Sequence, residues 1–301
     1  MRIPKGILTK ITMIAFCLIC STMQAAAEKN ITPAQWGTIL NFSGRQRMLS
    51  QKMTKEILLI SLDYNKAENL SALEKTATLF DNTLDGLRDG SAELGLPPTS
   101  SRRILRQIDM KIVPVWNVFF RQVQGILTAN AVSPEQLSVV IENNIPLLAE
   151  MNKCVKLYEK EASKSGVEMD PKLAVTINLA GKQRMLTQKM SKEFFLIAKN
   201  VQTDANRLNL QETYNLFDRT LKGLMDGDEL LELPGTKAPE IRAQLGKVQS
   251  LWDGFAPLMT YAAKTKGAVS AEKIGEVAQK NLPLLSEMNK AVKMYENQAA
   301  K

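Results

Sequence analysis

The sequence predicts an all-α protein made of two tandem antiparallel four-helix bundles. Three observations lead to this prediction. Long sequence blocks recur at one fixed spacing, apolar residues recur at helical spacing, and runs rich in Val, Ile and Thr with strand-like alternation are missing. A chain of 301 residues is also long enough for two domains of ordinary size.

The recurring blocks share a single spacing. Residues 44–56 read GRQRMLSQKMTKE and return at 181–193 as GKQRMLTQKMSKE, 137 positions later. The same spacing relates FDNTLDGLRDG at 80–90 to FDRTLKGLMDG at 217–227, and IPLLAEMNKCVKLYE from Ile145 to LPLLSEMNKAVKMYE from Leu282. Three blocks in one register indicate that the chain duplicates one domain.

The N-terminus has the pattern of a secretory signal peptide. Basic residues precede the apolar stretch from Ile11 to Ile19, and small residues follow at Ala25–Ala27. We predict cleavage near Ala27, and an uncleaved membrane anchor is the alternative. The predicted organisation is a signal peptide over residues 1–27, a first helical domain over 28–166 and a second over 167–301.

Each domain should contain four helices. In the first domain, Thr32 and Pro33 begin a helix that should end near Tyr64, and further helices should begin near Ser71, near Ser100 and at Ser133–Pro134, with ends before Gly95, near Ala129 and near Ser165. In the second domain, the expected starts are Asp170–Pro171, Asp204, Thr236 and Ser270. Prolines inside these stretches should kink or interrupt them, at Pro114, Pro146, Pro257 and Pro283.

Composition argues against catalysis. The chain has no histidine, which removes the commonest general base and metal ligand, and Cys154 is the single cysteine after cleavage. We therefore expect no enzyme activity, no cofactor, no metal and no disulfide. Removing the signal peptide leaves a basic surplus of five charges, which favours small anions, acidic partners or a membrane surface over nucleic acid.

The repeated block is the candidate binding site. Gly44 and Gly181 lie inside helices, where glycine is unfavourable unless a backbone or ligand must come close. Arginine and glutamine follow on nearly the same helix face, and a lysine points somewhat aside. These residues are Arg47, Gln51 and Lys52 in the first copy, and Arg184, Gln188 and Lys189 in the second. A guanidinium matches planar oxyanions, so the block could form an anion recess. The alternative is a solvated basic face.

The block resembles the signature of the NarX-like sensor domain, which occurs in nitrate/nitrite sensor kinases and in PilJ-type methyl-accepting transducers of type IV pili. The resembling segments are Asn41–Met48 and Asn178–Met185, and the resemblance extends over both copies. It implies that Arg47 and Arg184 bind an anion between equivalent first helices, with Gly44 and Gly181 allowing close approach. Lys52 and Lys189 match a second basic position of the signature.

Two functions are compatible with these features. The first is a soluble periplasmic binding protein for a small anion, nitrate-like, nitrite-like or a small carboxylate, which relays its state to a membrane-bound transducer. The second is a ligand-free structural or interaction protein that docks on another envelope protein, with the arginines paired to glutamates of the fourth helices. The copies could pair within one chain or in a homodimer.

Overall fold

The computed structural model describes residues 31–166 and 171–299. The predicted signal peptide and the predicted domain boundary lie outside these residues, so both stay predictions. The first copy contains α1 (Pro33–Ser61), α2 (Lys66–Asp89), α3 (Arg102–Gln107), a π-helical turn (Ile108–Ile112), α4 (Val113–Ala129) and α5 (Pro134–Lys164). The second contains α6 (Pro171–Ala198), α7 (Thr203–Asp226), a short 3₁₀ turn (Glu229–Leu231), α8 (Pro239–Lys264) and α9 (Ala271–Ala299).

Each copy is a bundle of four packed helical segments, and in the first copy α3, the π-helical turn and α4 together form one of them. In the first copy α1 contacts α2 and α5, and α4 contacts the same two helices from the other side. In the second copy α6 and α8 have the same relation to α7 and α9. The described residues contain no strand, only two isolated bridges that close the turns after α2 and α7. The predicted fold class of two tandem four-helix bundles is confirmed.

The two bundles are joined along their first helices. The contact between α1 and α6 is the most extensive between any two described helices, and α9 also reaches α1. As a result α1 is covered on almost all sides from Gln46 to Ile60. We call this contact between α1 and α6 the seam. The repeated block lies in it, which explains why polar residues of that block are buried.

The starts of α1 and α5 follow the capping signals of the sequence. Thr32 and Ser133 each accept a hydrogen bond from the backbone three residues later and form complete capping boxes ahead of a proline. The first helix ends three residues before the predicted position and the second begins at Lys66 rather than near Ser71. Residues 62–65 make this early turn, with Asp63 and Asn65 at positive φ.

The prolines have different consequences. Pro146, Pro257 and Pro283 lie inside continuous helices, whereas Pro114 follows the π-helical turn at the start of α4. Gly90 ends α2 at a φ of 88°, and a Cβ there would lie 2.8 Å from the nitrogen of Pro98. Glycine is therefore required where the chain turns toward α3.

None of the described helices is long and apolar enough to cross a membrane.

Candidate functional site

Arg47 and Arg184 lie in the seam and are almost completely buried, at 4% and 3% exposure. Each comes from the middle of its helix, where the adjacent turns pack against both neighbouring helices and the other copy. The alternative of a solvated basic face is therefore wrong for these residues. Burying a cation is costly unless it is paired, so its surroundings decide what the site can do.

The two guanidinium groups meet beside the glycines. A Cβ on Gly44 would lie 3.1 Å from Nη2 of Arg47, closer than nearly all real contacts allow. A Cβ on Gly181 would lie 3.3 Å from Nη2 of Arg184 and 3.9 Å from Nη2 of Arg47. Both guanidinium groups therefore border one point in the seam. The prediction that the two arginines come together within one chain agrees with this geometry.

Arg47 donates only to neutral oxygens. Its Nη2 donates to Oδ1 of Asn178 in the other copy at 2.7 Å, and its Nη1 lies 3.4 Å from Oδ1 of Asn152 on α5. Its Nε donates to the backbone oxygen of Gly44 at 3.4 Å. One hydrogen bond is thus short and two are long.

Arg184 has weaker contacts than Arg47. Its Nη1 lies 3.4 Å from Oδ1 of Asn289, and its Nη2 lies 3.4 Å from the backbone oxygen of Asn41. Its Nε is buried and has no hydrogen-bond partner in the part of the chain that the structure describes. The side chain of Asn41 donates instead to Glu296 at 3.0 Å, so it does not mirror the short contact that Asn178 makes. Arg184 is therefore the less satisfied of the two cations.

Burial lowers the pKa of both arginines. The pKa of Arg47 falls to about 10, opposed by attraction to Glu159. The pKa of Arg184 falls to about 9, and repulsion from Arg45 and Arg47 adds to the effect of burial. Both stay charged near neutral pH, yet among the described residues no carboxylate lies within 4 Å of either guanidinium. The seam thus holds two adjacent cations whose charge is not neutralised by contact.

The predicted glutamines lie one turn further along the same seam. Gln51 donates to the hydroxyl of Ser50, and Gln188 donates to Thr187 and to Asn281. The amide oxygens of both glutamines are buried and accept no hydrogen bond from any described residue. The structure therefore brings them to the buried polar layer beside the arginines, and within the described residues no hydrogen bond joins either glutamine to a guanidinium group.

The predicted lysines have other partners. Lys52 pairs with Glu56 and donates to Thr76 at 2.8 Å. Lys189 repeats both contacts in the second copy, with Glu193 and with Thr213 at 2.7 Å. Each lysine therefore links the first helix of its copy to the second. Their role in ligand binding stays a prediction.

Glu150 on α5 and Glu287 on α9 do not pair with the first helices of the two copies. Glu150 accepts hydrogen bonds from Gln107 and Lys153, and Glu287 does the same from Gln244 and Lys290. The expected salt bridges from Arg47 and Arg184 to these glutamates are wrong. Asn152 and Asn289, two residues further along the same helices, contact the arginines instead. Amides and not carboxylates therefore face the guanidinium groups.

Sequence reasoning missed a second pair of buried cations. Lys55 and Lys192 are 3% and 4% exposed, and each donates across the seam at 2.9 Å, to Asn281 and Asn144 respectively. Burial lowers the pKa of each to about 8. The available signal was their spacing, because Arg47, Gln51 and Lys55 follow one another at four-residue intervals on one helix face.

A surface groove leads toward Arg184. It has a volume of about 750 Å³ and lies between α1, α2 and α9, with Arg45, Lys75 and Asn289 in its lining. Asn289 is exposed and its amide oxygen contacts Arg184. The side chain of Asn289 therefore borders the groove and also contacts the less satisfied arginine.

The class of protein follows from this arrangement. Two helical bundles share a long seam, and a cation from each repeat lies buried at the middle of it. This arrangement defines an all-α protein of two paired helical modules.

The chain belongs to the family described as "Type IV pili methyl-accepting chemotaxis transducer N-term", whose pattern matches residues 36–143 and 169–276. It is also similar to "Methyl-accepting chemotaxis protein McpN" of Pseudomonas aeruginosa, with 29% identity over 124 residues, which is 41% of this chain. The chain spans 22% of the length of that relative. No solved structure matches. The resemblance inferred from the repeated block is therefore confirmed, and the family supports a role in sensing or signal transduction.

Proposed function

We propose that the protein is an exported, non-catalytic sensor that binds one small planar anion between Arg47 and Arg184. The observation that carries this proposal is the pair of adjacent buried guanidinium groups, which no carboxylate contacts within residues 31–166 and 171–299. Nitrate, nitrite or a small carboxylate has the charge and the planar acceptor geometry that two such forks would bind.

The charge balance supports an anion over a neutral ligand. Two like charges in a region of low dielectric repel each other, and the neutral asparagine oxygens offset only part of that cost. One anion would interact favourably with both cations and could replace the longest contacts, those at 3.4 Å to Asn152, Asn289 and Asn41. The free Nε of Arg184 would gain an acceptor.

Binding of this kind would change the relation between the copies. Arg47 and Arg184 come from different repeats. An anion that attracts both arginines therefore lowers the energy of conformations in which α1 and α6 lie close together near these two residues. A ligand shifts a conformational equilibrium only by its differential affinity for the states, and here the differential contact is the second arginine. The signal would thus be a change in the position of α1 relative to α6.

The groove beside Asn289 supports a route to the site. A rotation of this exposed asparagine side chain would open a path for an anion from the groove to Arg184. The cations Arg45 and Lys75 in the lining would attract the anion into the groove. The partner that reads the bound state would be a membrane-bound transducer or another envelope protein. The predicted signal peptide supports a periplasmic location, which fractionation of cells expressing the full chain would test.

Calorimetry with the purified chain tests the anion site. Nitrate, nitrite and acetate are titrated into the wild-type chain, Arg47→Ala, Arg184→Ala and the double variant. Each single variant should weaken binding of the preferred anion by about 10- to 100-fold, the range expected for hydrogen bonds to charged groups. Arg121→Ala removes an exposed arginine of the first copy and should leave binding unchanged.

The double variant should fold, because removing two unneutralised buried charges relieves a cost of the empty state. Circular dichroism and thermal unfolding check this. Saturable binding that survives in a folded double variant, or the lack of heat with every anion, would rule out the proposed site.

A ligand-free role in interactions has one observation in its favour. Every guanidinium nitrogen of Arg47 already has an oxygen partner in the empty chain, so this side chain could act purely as a structural element of the seam. In that case a defined envelope partner would bind equally well with and without anion. The same affinity for the double arginine variant would support this second function.

A further inference from the structure

The third helical segment of the first copy has a basic outer face. Residues 102–129 contain a single carboxylate, that of Asp109, and five cations. The cations are all exposed, and they are Arg102, Arg103, Arg106, Lys111 and Arg121. Buried residues of the same segment, such as Ile104, Ile108 and Phe119, face the bundle. The cations therefore lie on the side that faces away from the core.

Two exposed apolar side chains lie among these cations. Met110 is 64% exposed and Val118 is 38% exposed. Met110 belongs to the π-helical turn, next to Lys111. We call the five cations together with Met110 and Val118 the basic ridge. Such a mixture suits the boundary between lipid headgroups and acyl chains, where cations contact phosphate and apolar groups leave water.

The charge of the basic ridge is not neutralised within the described residues, where none of its five cations lies within 4 Å of a carboxylate. Asp109 pairs instead with Arg88 of α2 at 2.8 Å. Asp81 of α2 also contacts the segment, but it accepts a hydrogen bond from the buried indole of Trp116 at 2.7 Å and so lies beside the core. The ridge therefore presents its positive charge to the surroundings.

The fold does not require the basic ridge, because the second copy lacks it. Gln107 and Gln244 make equivalent hydrogen bonds, which gives a spacing of 137 before the π-helical turn. Trp116 and Trp252 do the same at a spacing of 136 after it. The five cations then correspond to Pro239, Glu240, Ala243, Lys247 and Pro257. These positions carry five positive charges in the first copy, whereas one Glu and one Lys cancel in the second.

The shape of the basic ridge favours a lipid surface over a protein. Its cations extend over 19 residues of helix, or about 30 Å, on the convex outer side of one segment. Protein partners bind best through side chains that enter pockets, whereas a layer of headgroups needs only charge and contact area. Four of the five cations are arginines, whose guanidinium groups bind phosphate oxygens in pairs.

We propose that the basic ridge docks the protein on a lipid surface that carries anionic phosphate headgroups. The cations contact the phosphates, and Met110 and Val118 enter the layer between the headgroups. Because α4 lies across its bundle from α1, docking leaves the seam uncovered. This role therefore goes beyond the anion site and does not depend on it.

Sedimentation with lipid vesicles tests the proposal on the whole chain. Vesicles of phosphatidylcholine alone are compared with vesicles of equal parts phosphatidylcholine and phosphatidylglycerol. The wild-type chain should bind the anionic vesicles at least about 10-fold more tightly, and rising salt should weaken this binding. The N-terminal segment is the same in every variant, so its contribution cancels when variants are compared.

Variants of the ridge separate its charge from its apolar contacts. Arg103→Glu with Arg106→Ala installs the residues of the second copy and should weaken binding to the anionic vesicles by at least about 10-fold, since each basic residue contributes about fivefold. Lys111→Gln with Arg121→Gln, beyond Met110 along the segment, should have an effect of similar size. Met110→Gln keeps the charge and should weaken binding by about 2- to 5-fold.

Two control variants leave the ridge intact. Lys264→Ala with Lys266→Glu makes the same change in charge at exposed positions of the second copy and should leave vesicle binding unchanged. Arg47→Ala with Arg184→Ala should also leave it unchanged, which separates the ridge from the anion site. Circular dichroism checks that each variant is folded.

Three results would overturn docking on lipid. The first is equal binding to anionic and neutral vesicles. The second is an equal loss of binding in the charge-matched variants of the two copies. The third is binding of soluble polyglutamate as tight as that of the anionic vesicles, with no effect of Met110→Gln on either, which is the result expected for an acidic protein partner.

Discussion

At the residue scale, the seam is held by cations that contact amides. Lys55 and Lys192 each donate to an asparagine of the other copy, and those asparagines in turn donate to the backbone of the helix beside them. An amide oxygen accepts a hydrogen bond without adding a negative charge. These contacts are therefore specific in geometry but add no negative charge, and burial of the two lysines outweighs their attraction to Glu56 and Glu193. The stability of the chain should therefore depend on pH.

Stability should rise with pH because of Lys55 and Lys192. Burial lowers the pKa of each to about 8, against a usual value of 10.5. Below about pH 8 both states hold these protons and the burial cost is fully present. Between about pH 8 and 10.5 the unfolded chain holds more protons, so the free energy of unfolding increases with pH, on the order of 3 kcal/mol per lysine at most.

Urea unfolding of the wild-type chain and of Lys55→Met/Lys192→Met at pH 7.5 and pH 9.5 checks this prediction. The double variant should show a smaller increase between the two values. Cys154 acts in the opposite direction, because burial raises the pKa of its thiol to about 12, but it is present in both chains and cancels in the difference. Identical pH profiles for the two chains would contradict the prediction.

The sequence predicted the key arginines and glycines but not their partners. The block repeats at one spacing, so Arg47 and Arg184 stand out without any structure. Asn152 and Asn289 lie on the fourth helices, and which of their residues face the seam depends on how the bundles pack. The asymmetry between Asn41 and Asn178 could not be predicted at all, because it arises from the competing contact with Glu296.

At the element scale, the third helical segments of the two copies differ by one residue in the spacing of their buried positions. This segment consists of α3, the π-helical turn and α4 in the first copy and of α8 in the second. In the first copy, buried positions at Ile108, Ile112 and Trp116 correspond to Leu245, Val248 and Trp252 in the second. The first copy thus carries one extra residue between the first two of these positions. The π-helical turn Ile108–Ile112 absorbs it and leaves Met110 64% exposed, so the flanking core positions keep their places.

Deleting Met110 should therefore be tolerated. We expect the π-helical turn to become a regular α-turn, as in the second copy, with a change in the free energy of unfolding within about 1 kcal/mol. Deleting Val118, which is also exposed but lies in regular helix, should rotate every later position and cost more than about 3 kcal/mol. Chemical denaturation of the two variants measures both values, and similar losses would mean that the turn does not absorb the extra residue.

Helix positions were largely readable from the sequence because capping signals are local. Thr32 with Pro33 and Ser133 with Pro134 fixed two starts within a residue. The sequence pattern places the turn between α1 and α2 too late, because Asp63 and Asn65 adopt positive φ without a glycine to indicate it. The sequence does not indicate the π-helical turn either, since no local pattern separates it from an α-helix with one displaced apolar position.

At the scale of the whole molecule, the duplication acts as a pseudo-dimer within one chain. Each repeat would expose the seam face of its first helix if it stood alone, and the other repeat covers that face. Hydrogen bonds cross the seam in both directions, from Arg47 to Asn178 and from Lys192 to Asn144. The two copies should therefore share one core and unfold as one cooperative unit.

A large-to-small substitution in either copy should destabilise both. Phe80 and Phe217 are equivalent, fully buried, and accept the same hydrogen bond through their backbone oxygens, from Gln46 and Gln183. Phe217→Ala should cost about 3–5 kcal/mol and leave a single unfolding transition. Amide hydrogen exchange should show faster exchange in α1 of the first copy as well as in α6, because the seam transmits the loss. Phe80→Ala is the matched reverse case and should raise exchange in α6 as well as in α1. Faster exchange confined to the substituted copy, or two separate unfolding transitions, would mean that the bundles are independent and that an anion bound at the seam could not hold them together.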